Sequence, residues 1–149
     1  MAVVTKSQVW IAATPRRVFA YLADLTKHGE WSTHKLSIEA EGDGPLGVGS
    51  RFVSHGEQFG QSLTDTLTVT EYEPGRRFVF ESAGRAGRWR HTYEVETERG
   101  GTRLTRAMSP ATLSPLVRLI SPLFGLGLPR RNAKDLERLK KRMESEGGG

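Results

Sequence analysis

Cysteine is absent from this 149-residue sequence. Its absence excludes disulfide bonds, thiolate metal ligands and a cysteine nucleophile, and it fits a reducing compartment. The N-terminus also lacks a charged region followed by an apolar run, so we expect no signal peptide and a cytoplasmic location. The longest apolar run, Leu113–Leu128, is interrupted by Arg118 and Pro122 and is shorter than the roughly 20 residues that cross a bilayer.

A strong charge of either sign is missing too. Lys and Arg together number 22 and Asp and Glu number 17, which gives a formal net charge of +5. The basic residues are scattered over the chain. This modest excess is typical of a solvated surface and predicts no nucleic acid partner.

Motifs that hold metals, phosphates or a catalytic serine are also missing. His28, His34 and His55 lie on separate predicted elements without metal-ligand spacing. No Gly-x-Ser-x-Gly elbow supports a Ser-His-Asp triad. The glycine-rich loop Gly42–Gly49 lacks the Lys-Ser/Thr ending of a phosphate loop and leads into a strand, so it predicts a turn. We therefore expect neither a metal nor a cofactor.

The sequence does contain a series of strand-like segments with short turns between them. The first strand, Val3–Ala12, is followed by Thr14 and Pro15, a good N-cap and first residue for a short helix. A second short helix or turn is predicted at Asp24–Trp31. Six further strands are predicted at His34–Glu41, Arg51–Glu57, Ser62–Tyr72, Arg77–Ser82, Arg88–Glu98 and Thr102–Met108. Long strands joined by short turns indicate antiparallel neighbours. We expect a single domain over residues 1–146, with a frayed tail at 147–149.

The last segment, Leu113–Met143, has the pattern of a long amphipathic helix, with Ser114 as its expected N-cap. Pro122 and Pro129, with Gly125 and Gly127 between them, predict a kink or break. This break is either a hinged lid over a cavity or a fixed bend before a second helix. The basic residues that follow are expected to form a solvated face: Arg130, Arg131, Lys134, Arg138, Lys141 and Arg142.

Several local patterns together resemble one known superfamily. They are Ile11-Ala-Ala-Thr-Pro15, Tyr21-Leu-Ala-Asp24 with Trp31, Gly44-Pro-Leu-Gly-Val-Gly-Ser-Arg-Phe52, Val69-Thr-Glu-Tyr-Glu-Pro-Gly-Arg-Arg-Phe78 and Gly100-Gly-Thr-Arg-Leu-Thr105. The chain is similar, from Val9 to Met143, to the polyketide cyclase/dehydrase branch of the START-like, helix-grip superfamily, also called SRPBCC. The resemblance implies an α+β fold: a seven-stranded antiparallel sheet wrapped around a long C-terminal helix, two short helices after the first strand, and a deep cavity. Members include lipid, sterol and hormone carriers as well as aromatic cyclases, so the fold alone does not fix a function.

Strand alternation predicts which side chains face that cavity. On Arg88–Glu98 it places Trp89, His91 and Tyr93 on the inner face, because the alternate positions hold Arg88, Arg90 and Glu94. On Arg51–Glu57 the choice stays open, since Phe52 and Ser54 compete with Val53 and His55. The residues predicted to bind ligand are Trp31, His55, Leu67, Phe78, Phe80, Trp89, His91, Tyr93, Leu116, Ile120 and Phe124.

These residues favour a pocket for a small apolar molecule that is aromatic and polyketide-like or lipid-like. The alternative is a cofactor-free cyclase or dehydratase, in which His91 or Tyr93 is the general acid/base and Asp65 orients it, provided that its strand is adjacent. A further alternative is contact of the greasy and basic halves of the last helix with an anionic membrane, or a protein interface at Leu119 and Leu123. We expect a monomer or a weak homodimer.

Overall fold

The computed structural model describes residues 5–58, 60–85, 87–113 and 115–146, and the side chains of residues 58, 112–129 and 146 lie outside that description. Seven strands and two α-helices are present: β1 (Thr5–Ile11), α1 (Pro15–Ala23), β2 (Leu36–Glu41), β3 (Arg51–Gln58), β4 (Gln61–Glu73), β5 (Arg77–Gly84), β6 (Gly87–Glu98), β7 (Gly101–Leu113) and α2 (Pro115–Glu146). A short 3₁₀ helix, Leu25–Glu30, follows α1. The predicted α+β architecture is confirmed.

All seven strands form one antiparallel sheet in the order β1-β7-β6-β5-β4-β3-β2. Strand β7 is five residues longer at its end than the sequence predicted. It continues to Leu113 because β6 offers partners as far as Gly87, and a register shift between Arg88 and Trp89 accommodates Pro110 in the ladder. The long β6–β7 pair lies between β5 and the edge strand β1.

The start of α1 follows the predicted chemistry. Thr14 is the N-cap, and its Oγ1 accepts a hydrogen bond from the backbone N–H of Arg17 at 3.3 Å. The helix then buries Val18, Phe19 and Leu22 against the sheet. Asp24 caps the 3₁₀ helix in the same way, by accepting from the N–H of Thr26. These two short helices cover one end of the concave face.

Helix α2 continues for 32 residues from Pro115 to Glu146, so a break between Pro122 and Pro129 is wrong, whereas a kink there stays a prediction. The expected N-cap, Ser114, lies outside the described residues. Leu136, Leu139 and Met143 pack into the core, as the apolar stripe predicted. Polar contacts also tie this half of the helix to β1: Lys140 Nζ donates to the Trp10 carbonyl at 2.8 Å, and Glu144 Oε2 accepts from the Ala12 N–H at 2.9 Å.

Candidate ligand-binding cavity

A cavity of about 180 Å³ lies between the inner face of the sheet and α2. Strands β2 to β7 supply most of its wall, and the 3₁₀ helix and α2 supply the rest. Its apolar lining consists of Leu36, Ile38, Leu63, Leu67, Phe80, Trp89 and Met108. Its polar lining consists of His28, His34, Ser54, Asp65, Ser82, His91, Arg106 and Arg131. The cavity is thus a mainly apolar space with charged groups on its wall.

Ten of the eleven residues predicted to bind ligand, all except His55, fall into three groups. Leu67, Phe80, Trp89 and His91 line the cavity, and so does Asp65. Trp31, Phe78 and Tyr93 lie in the packed core beside it, with exposures of 2%, 0% and 1%. The remaining three, Leu116, Ile120 and Phe124, are on α2, but their side chains lie outside the described part of the chain.

His55 was predicted among the ligand-binding residues, and its orientation makes that assignment wrong. On β3, Phe52 lies opposite Leu67 and Ser54 lies opposite Asp65, so the even-numbered residues share the inner face. His55 pairs with Thr64 and is exposed on the outer face. Ser54, buried at 7% exposure, occupies the cavity wall instead.

His91 is held by two neighbours from β5. Its ring stacks on Phe80, with ring centroids 4.5 Å apart and planes 8° apart. Its Nε2 lies 3.1 Å from Ser82 Oγ, while its buried Nδ1 has no hydrogen-bond partner among the described residues. Burial, with a smaller contribution from the positive charge of Arg106, lowers the pKa of His91 to about 3. The imidazole is therefore neutral at neutral pH.

Asp65 does not orient either candidate acid/base. Its strand, β4, is separated from β6 by β5, so the adjacency that this role required is missing. The carboxylate instead occupies the space that a Cβ at Gly84 would take, and burial raises its pKa. The side chain within hydrogen-bond distance of His91 is Ser82, which lies on the same face of β5 as Phe78 and Phe80.

Tyr93 lies in an aromatic cluster with Phe78, Phe80 and His28, with ring centroids between 6.0 and 6.4 Å away. Its buried hydroxyl has no hydrogen-bond partner within the described residues. Burial raises the pKa of Tyr93, so the phenol stays protonated. His28 in the same cluster lies 2.7 Å, through Nε2, from the Leu22 carbonyl, to which a neutral ring donates. Burial lowers the pKa of His28 to about 4.

An ion pair that sequence reasoning missed lies at the α2 side of the cavity. Arg106 Nη1 donates to Asp135 Oδ2 at 3.1 Å, and Asp135 Oδ1 accepts from the Thr33 N–H at 2.7 Å. The guanidinium also lies over the rings of Trp31 and Tyr93, with its Cζ 5.6 Å from each centroid. Arg106 could have been found from the sequence, because it lies on the same face of β7 as the apolar residues Leu104 and Met108. Asp135 gave no comparable signal.

Arg131 was predicted to belong to a solvated basic face, and this is wrong. Its side chain turns towards the cavity and is half-buried, whereas Arg130 and Lys134 are exposed. Burial lowers the pKa of Arg131, and the Arg106 guanidinium adds to that effect while Asp135 opposes it. Helix rotation against the sheet, which depends on tertiary packing, decides which of these neighbouring cations faces inward.

Two further features concern metals and membranes. Within the described ranges, no group of three His, Asp or Glu side chains is placed to hold a metal ion. Among the same residues, no helix is both long enough and apolar enough to cross a bilayer.

The combination of an antiparallel sheet, a long C-terminal helix and a cavity between them defines the START-like helix-grip class. Residues 1–144 match the family described as polyketide cyclase/dehydrase and lipid transport, and the chain belongs to this family. The resemblance inferred from the sequence is thereby confirmed. No protein of curated function matches the sequence.

Solved structures with little sequence similarity share the fold. TTHA0849 from Thermus thermophilus is 20% identical with a TM-score of 0.78, and the match covers 97% of this chain and 99% of that one. The di-domain ARO/CYC StfQ from the steffimycin biosynthetic pathway is 16% identical with a TM-score of 0.80, over 100% of this chain and 53% of that one. Ara h 8.0201 is 14% identical with a TM-score of 0.61, and the match covers 93% of this chain and 99% of that one.

Proposed function

We propose that this protein binds a small, largely apolar molecule in the cavity between the sheet and α2, and that it does so without breaking a bond. The cavity itself carries the proposal. The described core beside the cavity is closely packed, with Phe78, Leu104 and Leu139 completely buried. A space of about 180 Å³ beside that packed core is unusual for a protein interior. An apolar cavity of about 150 Å³ is enough to hold a benzene ring.

The lining suits an aromatic or lipid-like ligand. Phe80 and Trp89 offer ring faces, and Leu67 and Met108 offer aliphatic surface. Polar side chains on the same wall, such as Ser54 and Ser82, offer hydrogen bonds that would orient a ligand. The family description and the fold likeness to StfQ, an ARO/CYC of a biosynthetic pathway, support a ligand of this kind.

The electrostatics favour binding over acid/base catalysis. A general acid or base works best when its pKa is near the working pH, and burial takes the pKa of His91 to about 3. Tyr93 is packed among aromatic rings and is not part of the cavity lining. Neither group is therefore matched to proton transfer at neutral pH: His91 is a neutral part of the cavity wall, and Tyr93 is part of the packed core beside it.

A neutral aromatic probe tests the proposal. We expect 2-naphthamide to bind saturably, to change the fluorescence of Trp89, and to show one site by calorimetry. Ser54→Phe fills the cavity from its buried side and should weaken binding at least tenfold, about 1.4 kcal/mol.

The matched control is Ser37→Phe, which places the same ring on the exposed face of β2 and should leave the affinity unchanged. The proposal is overturned by an absence of saturable binding to the unaltered protein, or by equal affinities for the two variants.

A further inference from the structure

The α2 side of the cavity carries more positive than negative charge. Arg106 and Arg131 both line it, and Asp135 is the carboxylate that contacts this cluster. Both oxygens of Asp135 are already engaged, one by Arg106 and the other by the Thr33 N–H. Across the described residues, no carboxylate oxygen lies within 4.0 Å of the Arg131 guanidinium. Among the described residues, the Arg131 guanidinium is therefore without a contacting counter-charge.

Hydrogen-bond donors are also left over at the same place. The Nε atoms of Arg106 and Arg131 are both buried, and neither has an acceptor within the described part of the chain. A buried donor without an acceptor costs on the order of 1–3 kcal/mol, more for a charged group. Both guanidinium groups line the same wall of the cavity, so an anionic group bound in the cavity would lie close to both charges.

The other titratable groups of the cavity do not supply the missing charge. Asp65 is on β4, three strands and about 14 Å across the sheet from β7. His28, His34 and His91 all have lowered pKa values, for which burial is the first cause. Arg106 contributes to the lowering at each of them, and Arg131 contributes at His34 and His91. The field of the two arginines thus extends over the cavity.

We propose that the cavity takes an apolar molecule bearing one carboxylate, which Arg131 and Arg106 bind while Phe80, Trp89 and Met108 contact the apolar body. The inference rests on the proposed function and adds to it the charge of the ligand. A carboxylate accepts two parallel N–H donors from a guanidinium, which gives both affinity and a fixed orientation. The geometry of the wall does not distinguish an aromatic acid from a fatty acid, since both present the same head group.

Two pairs of probes test this by calorimetry: 2-naphthoate against 2-naphthamide, and decanoate against decanamide. We expect the acid of at least one pair to bind at least tenfold more tightly than its amide, about 1.4 kcal/mol. The pair that shows the preference identifies the body as aromatic or aliphatic. Equal affinities within both pairs overturn the inference but leave apolar binding intact. Failure of all four probes to bind overturns the proposed function as well.

The variant Arg131→Met then tests whether Arg131 binds the carboxylate. It should reduce the affinity for the preferred acid at least tenfold and change the affinity for the amide by less than threefold. The control is Arg130→Met, which removes the same charge from the exposed neighbouring position and should change neither affinity. Arg131→Lys should retain part of the preference, because it keeps the charge and loses Nε. An equal loss for acid and amide in Arg131→Met would contradict the inference.

Discussion

Arg106 on β7 and Asp135 on α2 form an ion pair whose side chains are only 11% and 4% exposed. The pair joins β7, the neighbour of the edge strand β1, to the last helix at the edge of the cavity. Through Thr33 it also fixes the segment between the 3₁₀ helix and β2. The Arg106 guanidinium also lies over the rings of Trp31 and Tyr93. Among the described residues, Asp135 is the carboxylate that pairs with it.

Asp135→Asn should lower the free energy of unfolding by about 3 kcal/mol, because it leaves a buried guanidinium without its counter-charge. Urea denaturation at pH 7 measures this. Glu94→Gln is the control, since it breaks the pair with Arg77 at a carboxylate that is 49% exposed and should cost less than about 1 kcal/mol. Equal losses for the two variants would show that the buried pair has no special structural role.

Stability should fall as the pH drops from about 6.5 towards 4. Burial lowers the pKa of His28 from 6.5 to about 4, so over this range the unfolded chain binds a proton that the folded chain does not. This linkage favours the unfolded state by roughly 2–3 kcal/mol at pH 4.5. His28→Gln keeps a donor for the Leu22 carbonyl and should lose less stability between pH 7.5 and 4.5 than the unaltered protein.

His55→Gln, at an exposed histidine on the outer face, is the control for this pH dependence and should behave as the unaltered protein does. Urea denaturation at both pH values gives the comparison. An identical pH dependence for His28→Gln and the unaltered protein would contradict the assignment to His28.

The 3₁₀ helix and β2 approach so closely at Gly29 that a Cβ there would overlap the Leu36 carbonyl oxygen. Because that neighbour is backbone, Gly29→Ala should cost about 1–3 kcal/mol and displace His28 and Trp31 from the cavity side. Near-ultraviolet circular dichroism and denaturation measure the two effects. Gly44→Ala, where no described atom lies within 4 Å of the added Cβ, should be neutral. A neutral Gly29→Ala would refute the close approach.

Replacing both His91 and Tyr93 by Phe should change the affinity for 2-naphthamide by less than tenfold. Phenylalanine preserves the stack of residue 91 on Phe80, and the Tyr93 hydroxyl has no partner in the described residues and is not part of the lining. Trp89→Ala removes a large lining surface and should weaken binding more than the double variant does. The reverse order would indicate that the imidazole and phenol contact the ligand.

Much of the fold could be predicted because its signals are local. Thr14 and Pro15 set the start of α1, and the alternation of Trp89, His91 and Tyr93 with charged residues set the inner face of β6. The orientation of β3 could not be predicted in the same way, since both of its faces hold apolar and polar residues. Pairing of Phe52 with Leu67 decides it, and that register is a tertiary property.

The charged part of the site was predicted least well. Arg106 shares its face with Leu104 and Met108, so alternation alone would have placed it inward, but it was not among the predicted site residues. Arg131 and Asp135 depend on how α2 is rotated against the sheet. The continuity of α2 through Pro122 could not be predicted either, because a proline inside a helix normally favours a kink or break.

The most direct test of the central claim is to locate a bound apolar probe by nuclear Overhauser effects. With 2-naphthamide at saturation, we expect intermolecular effects from its ring protons to the methyl groups of Leu67 and Met108, which line the cavity from β4 and β7. Effects confined to exterior side chains such as Val48, with none to Leu67 or Met108, would contradict the claim that the cavity is the binding site.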